Sequence, residues 1–139
     1  MTAQFSEELS YEGKDLAMWT TPLCDYFVMG GFDPGFDVSC TALWRGYEGQ
    51  WEIIDERLYL VELQGTLRDG TEASLASVFP DFPGRVFAHW YSGTIRIPQG
   101  KLLAYVHGGF SSTYEQDLLL DLERGVVKRT RVRHNGEAA

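Results

Sequence analysis

The stretch in which residue types and spacing come nearest to chemistry runs W-Y-S-G-T-I-R-I-P-Q-G from Trp90 and Y-V-H-G-G-F-S-S-T-Y-E from Tyr105. His107 precedes two glycines at a predicted strand end, where backbone can approach a ligand closely. An imidazole there can act as a general base, with Glu115 or Asp117 to orient it. The same His, the Gly-Gly turn and Tyr114 can equally make a hydrogen-bonded corner of a sheet, and this structural account is the preferred one. No Walker-type G-x-x-x-x-G-K, G-x-G-x-x-G, H-E-x-x-H, C-x-x-C or G-x-S-x-G occurs, so the usual phosphate, dinucleotide, zinc and acyl-transfer signatures are missing. Asp33 and Asp37, or His89, His107 and a cysteine, lack the close repeated spacing of a ligand set. No metal site, cofactor or catalytic residue is assigned, and the reading leans away from an enzyme.

Binding chemistry is better represented. The chain has four Trp, seven Tyr and eight Phe, rings that serve core filling and interaction surfaces alike. Trp51 alternates with Ile53 as a core strand does, whereas Trp44, Arg45 and Tyr47 around Gly46 suit a surface contact, Trp90 belongs with His107, Tyr114 and Glu115 to a candidate pocket, and Tyr91 is a further binding candidate. Arg129, Arg131 and Arg133 share one face of the predicted last strand. They suit an acidic partner or nucleic-acid phosphates, or a structural role guarding an edge strand and pairing with Asp117, Asp121 or Glu123 on its neighbour; the structural role is preferred.

Charge narrows the partners. The 139 residues carry a net charge of −8, which disfavours nucleic acid and anionic membranes and suits a basic protein partner. The charge is unevenly spread: residues 1–123 hold seven Lys/Arg against nineteen Asp/Glu, while residues 124–139 hold five basic residues against Glu137. Two cysteines, Cys24 and Cys40, are too few for a disulfide framework and read as small buried apolar residues. The opening residues have no basic start followed by an apolar run, and no run approaches the roughly 18 apolar residues of a membrane span. A cytoplasmic location without membrane contact is expected.

The elements that would position these residues are mostly strands. Residues 1–10 read as a loose tail and 15–20 as a first strand. Pro22 at a first helical position, after Thr21 as N-cap, starts a short helix ended by Gly30-Gly31. Residues 30–39 read as a loop, and 40–46, 47–54 and 57–63 as successive strands with Asp55-Glu56 at a turn. In 57–63, Leu58 and Leu60 face one way and Tyr59, Val61 and Leu63 the other, so both faces require cover. Residues 71–79 read as a helix stopped by Pro80. Strands follow at 86–90, 94–98, 102–107, 117–123 and 126–133, with Gln99-Gly100 and Arg124-Gly125 as turns. In 117–123, Leu118, Leu120 and Leu122 face inward and Asp117, Asp121 and Glu123 face water. Residues 134–139 read as a loose end. The expectation is one globular domain, mainly β with α+β as the variant: an antiparallel meander forming a small barrel or two-layer sandwich with one or two short helices.

The runs T-A-L-W-R-G-Y-E-G-Q-W-E-I at 41–53, R-L-Y-L-V-E-L at 57–63, W-Y-S-G-T-I-R-I-P-Q-G at 90–100 and Y-V-H-G-G-F-S-S-T-Y-E-Q-D-L at 105–118 resemble a family of small uncharacterised bacterial single-domain proteins, over most of residues 21–127. The resemblance implies a bacterial cytoplasmic origin and carries no activity. The functional expectation is therefore a non-enzymatic protein-binding domain of the immunity or accessory type, which neutralises a basic partner such as a toxin. The alternative is a small-molecule binder or enzyme with a pocket near Trp90, His107, Tyr114 and Glu115.

Overall fold

Backbone turns in the left-handed region set the architecture. Glu12-Gly13, Asp55-Glu56 and Arg124-Gly125 all have positive φ at both positions, the geometry whose twist matches that of two antiparallel strands. They join β1 (Glu7–Tyr11) to β2 (Lys14–Met18), β3 (Tyr47–Ile54) to β4 (Arg57–Thr66), and β8 (Thr113–Glu123) to β9 (Val126–His134). The computed structural model describes residues 5–31, 35–37, 45–82, 84–106, 110 and 112–137. The rest of that part comprises α1 (Pro22–Gly30), β5 (Glu72–Ala73), α2 (Leu75–Val78), β6 (Val86–Phe87) and β7 (Gly93–Ala104).

The nine strands form one mostly antiparallel sheet in the order β2-β1-β3-β4-β9-β8-β7, with β5 and β6 attached to β4. Only β1 and β3 run parallel among these pairs. β4 is the central strand, as its two apolar faces suggested. Its first edge pairs with β3, and its second is shared in turn by β9 at Arg57, β6 at Tyr59 and Leu60, and β5 at Gly65 and Thr66. The sheet does not close into a barrel, and the arrangement is sandwich-like. Its ends do approach, the Trp19 N–H donating to the Arg96 carbonyl at 2.7 Å, but no strand ladder joins them.

One apolar cluster fills the space enclosed, with Leu9, Met18, Leu23, Trp51, Leu60 and Ile95 among its least exposed members. Alternation explains most of it, and a bulge explains an exception. Opposite Gln50 and Trp51 the register skips Val61, so Leu63 returns to the buried side with Leu58 and Leu60 instead of facing away.

Several sequence expectations are revised. The stretch read as a loose tail contains β1, because Glu7 and Leu9 both point into the interior. Residues 71–79 are not one helix. Pairing with β4 draws Glu72 and Ala73 into a strand, and the helix starts only after Ser74, whose N–H donates to the Ser77 hydroxyl at 3.0 Å in a capping box. The strand expected at 86–90 is only Val86–Phe87. The expected turn at Gln99-Gly100 is a register shift inside the continuous β7, where Glu115 accepts from the Lys101 N–H at 2.7 Å. Asp117 does not face water: it is fully buried. Most of the strand expected at 40–46 falls outside the described residues, and Arg45 and Gly46 form a turn. No helix among the described residues is long and apolar enough to cross a membrane.

Candidate functional site

An aromatic groove lies between α1, α2 and β6. Tyr26 projects from α1 and meets the Phe79 and Trp90 rings edge-on, at centroid distances of 4.9 and 4.8 Å. Phe79 stacks on Trp90 at 5.8 Å, and His89 abuts Trp90 edge-on at 5.6 Å. Trp90 is tied down by its indole N–H, which donates to the Pro22 carbonyl at 2.8 Å and so anchors the groove floor to the first turn of α1. The groove encloses about 410 Å³, and Met29, Phe82, Phe87 and Val86 complete its rim. Met29 and Phe82 are 69% and 50% exposed and Val28, next to Met29 on α1, is 80% exposed. Large apolar side chains left in water beside a set of fixed rings form the kind of patch that marks an interaction surface.

The candidate pocket read from the sequence does not gather as expected. Trp90 belongs to the groove just described. Tyr114 instead meets Trp19 edge-on at 5.4 Å, in a second aromatic cluster in which Trp19 also stacks on Phe110 at 5.9 Å. Glu115 lines a separate polar depression with Gly100, Gln116 and His134. Tyr91 is buried, with its hydroxyl donating to the Thr94 carbonyl at 3.2 Å, and burial followed by the nearby Asp25 charge pushes its phenol above the ordinary value. His107 and Trp44 lie outside the described residues, as do Asp33 and Cys40.

Arg45 and Tyr47 are not a surface contact. They form a polar node inside the protein with Glu7, a residue the sequence did not single out. The Glu7 carboxylate accepts from Arg45 at 2.9 Å, from the Gly49 N–H at 2.6 Å and from the Trp51 indole at 3.3 Å. Burial pushes the Glu7 carboxyl above its ordinary value, and Arg45 and the two N–H donors oppose that rise without cancelling it. Position 49 has to be glycine, since a Cβ there would sit 2.8 Å from both the Glu7 oxygen and the Trp51 nitrogen. The Arg45 guanidinium lies 5.5 Å from the Tyr47 ring, and the Tyr47 hydroxyl is 2.9 Å from the Cys24 sulfur. The alternation of Glu7 with Leu9 was the available signal, and its charge concealed it.

A second polar node joins β7, β8 and β9. Arg96 is flanked by the inward-facing Ile95 and Ile97, so it emerges on the opposite face, directly across from Leu119 and beside Asp117. Its guanidinium donates to Asp117 at 2.9 Å and to the Phe110 and Ser112 carbonyls at 2.7 and 3.0 Å, and it lies 4.9 Å from the Trp19 ring. Asp117 also accepts from Arg133 and Asn135. Burial alone would push its carboxyl up, but the hydrogen bonds from Asn135, Arg133 and Arg96, with the Arg96 charge, hold it below the ordinary Asp value. The other two arginines of the stripe, Arg129 and Arg131, both bond to Asp121. The expected pairing of the stripe with Asp117 and Asp121 is thus present.

Among the described residues no group of three or more His, Cys, Asp or Glu could hold a metal ion. No family model matches the chain, and neither a curated protein nor a solved structure matches it.

Proposed function

We propose that the chain is a non-enzymatic binding domain that captures a basic protein partner, in the manner of an immunity or accessory protein neutralising a toxin in a bacterial cytoplasm, with the aromatic groove as its docking surface. The observation that carries this reading is the groove itself: rings held in fixed positions by one another and by the Trp90 to Pro22 bond, next to the exposed Val28, Met29 and Phe82. Rigid aromatic pockets that accept an apolar anchor dominate binding energy at protein interfaces. The net charge of −8 selects the partner's sign, because it accelerates encounter with a basic surface and opposes an acidic one. A small molecule is the competing occupant, favoured by a volume of about 410 Å³ that lies within the usual range of ligand sites, roughly 300–1,000 Å³.

Selection of a random displayed-peptide library on the full chain tests the proposal. Peptides combining Lys or Arg with an apolar or aromatic anchor are expected to enrich. Their affinity should fall by about 30-fold on the Met29→Asp, Phe82→Asp double variant, the scale of losing one anchoring contact. Both positions are exposed, so the variant should melt as the wild type does. No enrichment, or peptides that bind the double variant equally well, would overturn the reading. Saturable small-molecule shifts of the Trp90 indole resonance in that case would point to the competing occupant.

A further inference from the structure

We propose that the outer edge of β9 is a strand-addition site for an acidic extended polypeptide segment, on a different surface from the aromatic groove and independent of it. β9 pairs with β8 along its length, but its other side meets β4 only at Arg57 opposite Val126. Residues 128–134 are all exposed. The Asn135 N–H donates to the Glu115 carbonyl on β8. Counting back by alternation, the backbone groups of Arg129, Arg131 and Arg133 serve β8, while those of Thr130, Val132 and His134 point to the open side. The Val127 N–H agrees, since it donates outward to Glu56 before the one-residue bulge at Lys128 restores the phase. Three successive outward positions thus present N–H and C=O groups with no strand partner among the described residues. The described side-chain bonds at them from other elements join Thr130 to Tyr11, near the closed end, and the His134 ring to Gln116 on β8, and neither engages the outward backbone groups.

Charge decides what can pair there. Arg129 and Arg131 share the single carboxylate of Asp121, and Arg96 and Arg133 share that of Asp117. Four guanidinium groups divide two carboxylates, and Lys128 adds a further positive charge. Arg129, Arg131 and Arg133 remain 67%, 41% and 55% exposed. A second copy pairing antiparallel to itself would set these arginines against one another, which like-charge cross-strand pairs disfavour. A segment with Glu or Asp at every second residue would place its carboxylates opposite the three arginines. Its alternate residues would then lie on the face of Val132, which is 51% exposed. Nucleic acid offers the negative charge without the backbone donors and acceptors that the open edge requires.

The test uses the full chain and a fluorescent peptide in which three glutamates alternate with threonine and valine. Binding by anisotropy should weaken steeply with salt, and the same composition with contiguous glutamates should bind more weakly. Val132→Pro removes one outward N–H without touching the β8 ladder and should weaken binding by about tenfold. Arg131→Glu should abolish it. On the wild type, amide exchange at Thr130, Val132 and His134 should slow when peptide is added while the amides facing β8 stay unchanged, a readout that no variant's folding can confound. Equal binding of the contiguous peptide, unchanged affinity in Val132→Pro, or exchange that does not slow at those three amides would overturn the proposal. So would a single-stranded oligonucleotide that displaces the peptide at equal charge.

Discussion

Replacing Asp117 by Asn removes a charge from the centre of the Arg96 node while keeping the shape of the side chain. The carboxylate is fully buried and accepts from Arg96, Arg133 and Asn135. An amide supplies one acceptor oxygen and turns the other position into a donor that faces donors. Hydrogen bonds to a buried charge contribute about 1.5–3 kcal/mol each, and breaking a buried ion pair by removing one partner costs about 3–5 kcal/mol. Two features reduce the loss here: Arg133 is half-exposed, so its share is screened, and Arg96 keeps the Phe110 and Ser112 carbonyls. The expected loss is therefore about 3 kcal/mol, or a melting temperature lower by roughly 10–15 °C for a domain of this size.

Urea and thermal denaturation followed by tryptophan fluorescence would measure that loss. The pH dependence checks the cause. A carboxyl held below its ordinary value contributes stability that is present above the unfolded-state pKa, about 3.9, and is lost as pH falls through the lower folded value. The gap between wild type and Asp117→Asn should therefore be largest near neutrality and close progressively in acid. Asp121→Asn, at a partly exposed carboxylate whose pairs with Arg129 and Arg131 are screened by solvent, is the comparison and should lose clearly less than Asp117→Asn. A loss under about 1 kcal/mol for Asp117→Asn, or a gap that persists unchanged into strong acid, would refute the assignment of this node as a net stabilising one.

Glu7 has the opposite sign. Its carboxyl is pushed up by burial, so its contribution is present below the ordinary Glu value and lost as pH rises through the folded one. The stability of wild type relative to Glu7→Gln should decline in urea melts as pH rises above the ordinary Glu value, about 4.3. Gly125→Ala should destabilise by about 2 kcal/mol or more in the same assay, because φ is +82° and the added Cβ would sit 2.6 Å from the Ala88 carbonyl oxygen. Tyr47→Phe should cost about 1 kcal/mol through the lost contact with the Cys24 sulfur, without changing peptide selection at the groove.

The secondary structure was legible where local chemistry governs it. Pro22 and Gly31 bound α1 as expected, Gly31 taking the left-handed C-cap. The two-residue turns at Asp55-Glu56 and Arg124-Gly125 delimit their hairpins, and the spans of β3 and β9 follow. Residues 71–79 misled because their apolar spacing fits a helix, while the open edge of β4 claims Glu72 and Ala73 first. The two bulges on β4 and β9 were invisible, since a bulge is fixed by the partner strand's register and not by its own residues.

The candidate sites divide in the same way. The abundance of rings, the acidic balance and the arginine stripe at alternate positions are properties of the chain and were read from it directly. Which rings meet is decided by strand order: β6 pairing with β4 brings residues 86–90 beside α1, so Trp90 joins Tyr26 and Phe79, while Tyr114 on β8 joins Trp19. Burial of charge also belongs to the tertiary structure. Glu7, Arg45 and Asp117 are polar by sequence, and only partners brought from 16 to 44 residues away make their burial tolerable. The local turns, the alternation and the charge balance follow from the order of residues, because each depends on neighbours along the chain. The groove, the polar nodes and the open edge of β9 were decided by the tertiary structure, because each depends on contacts across the sheet.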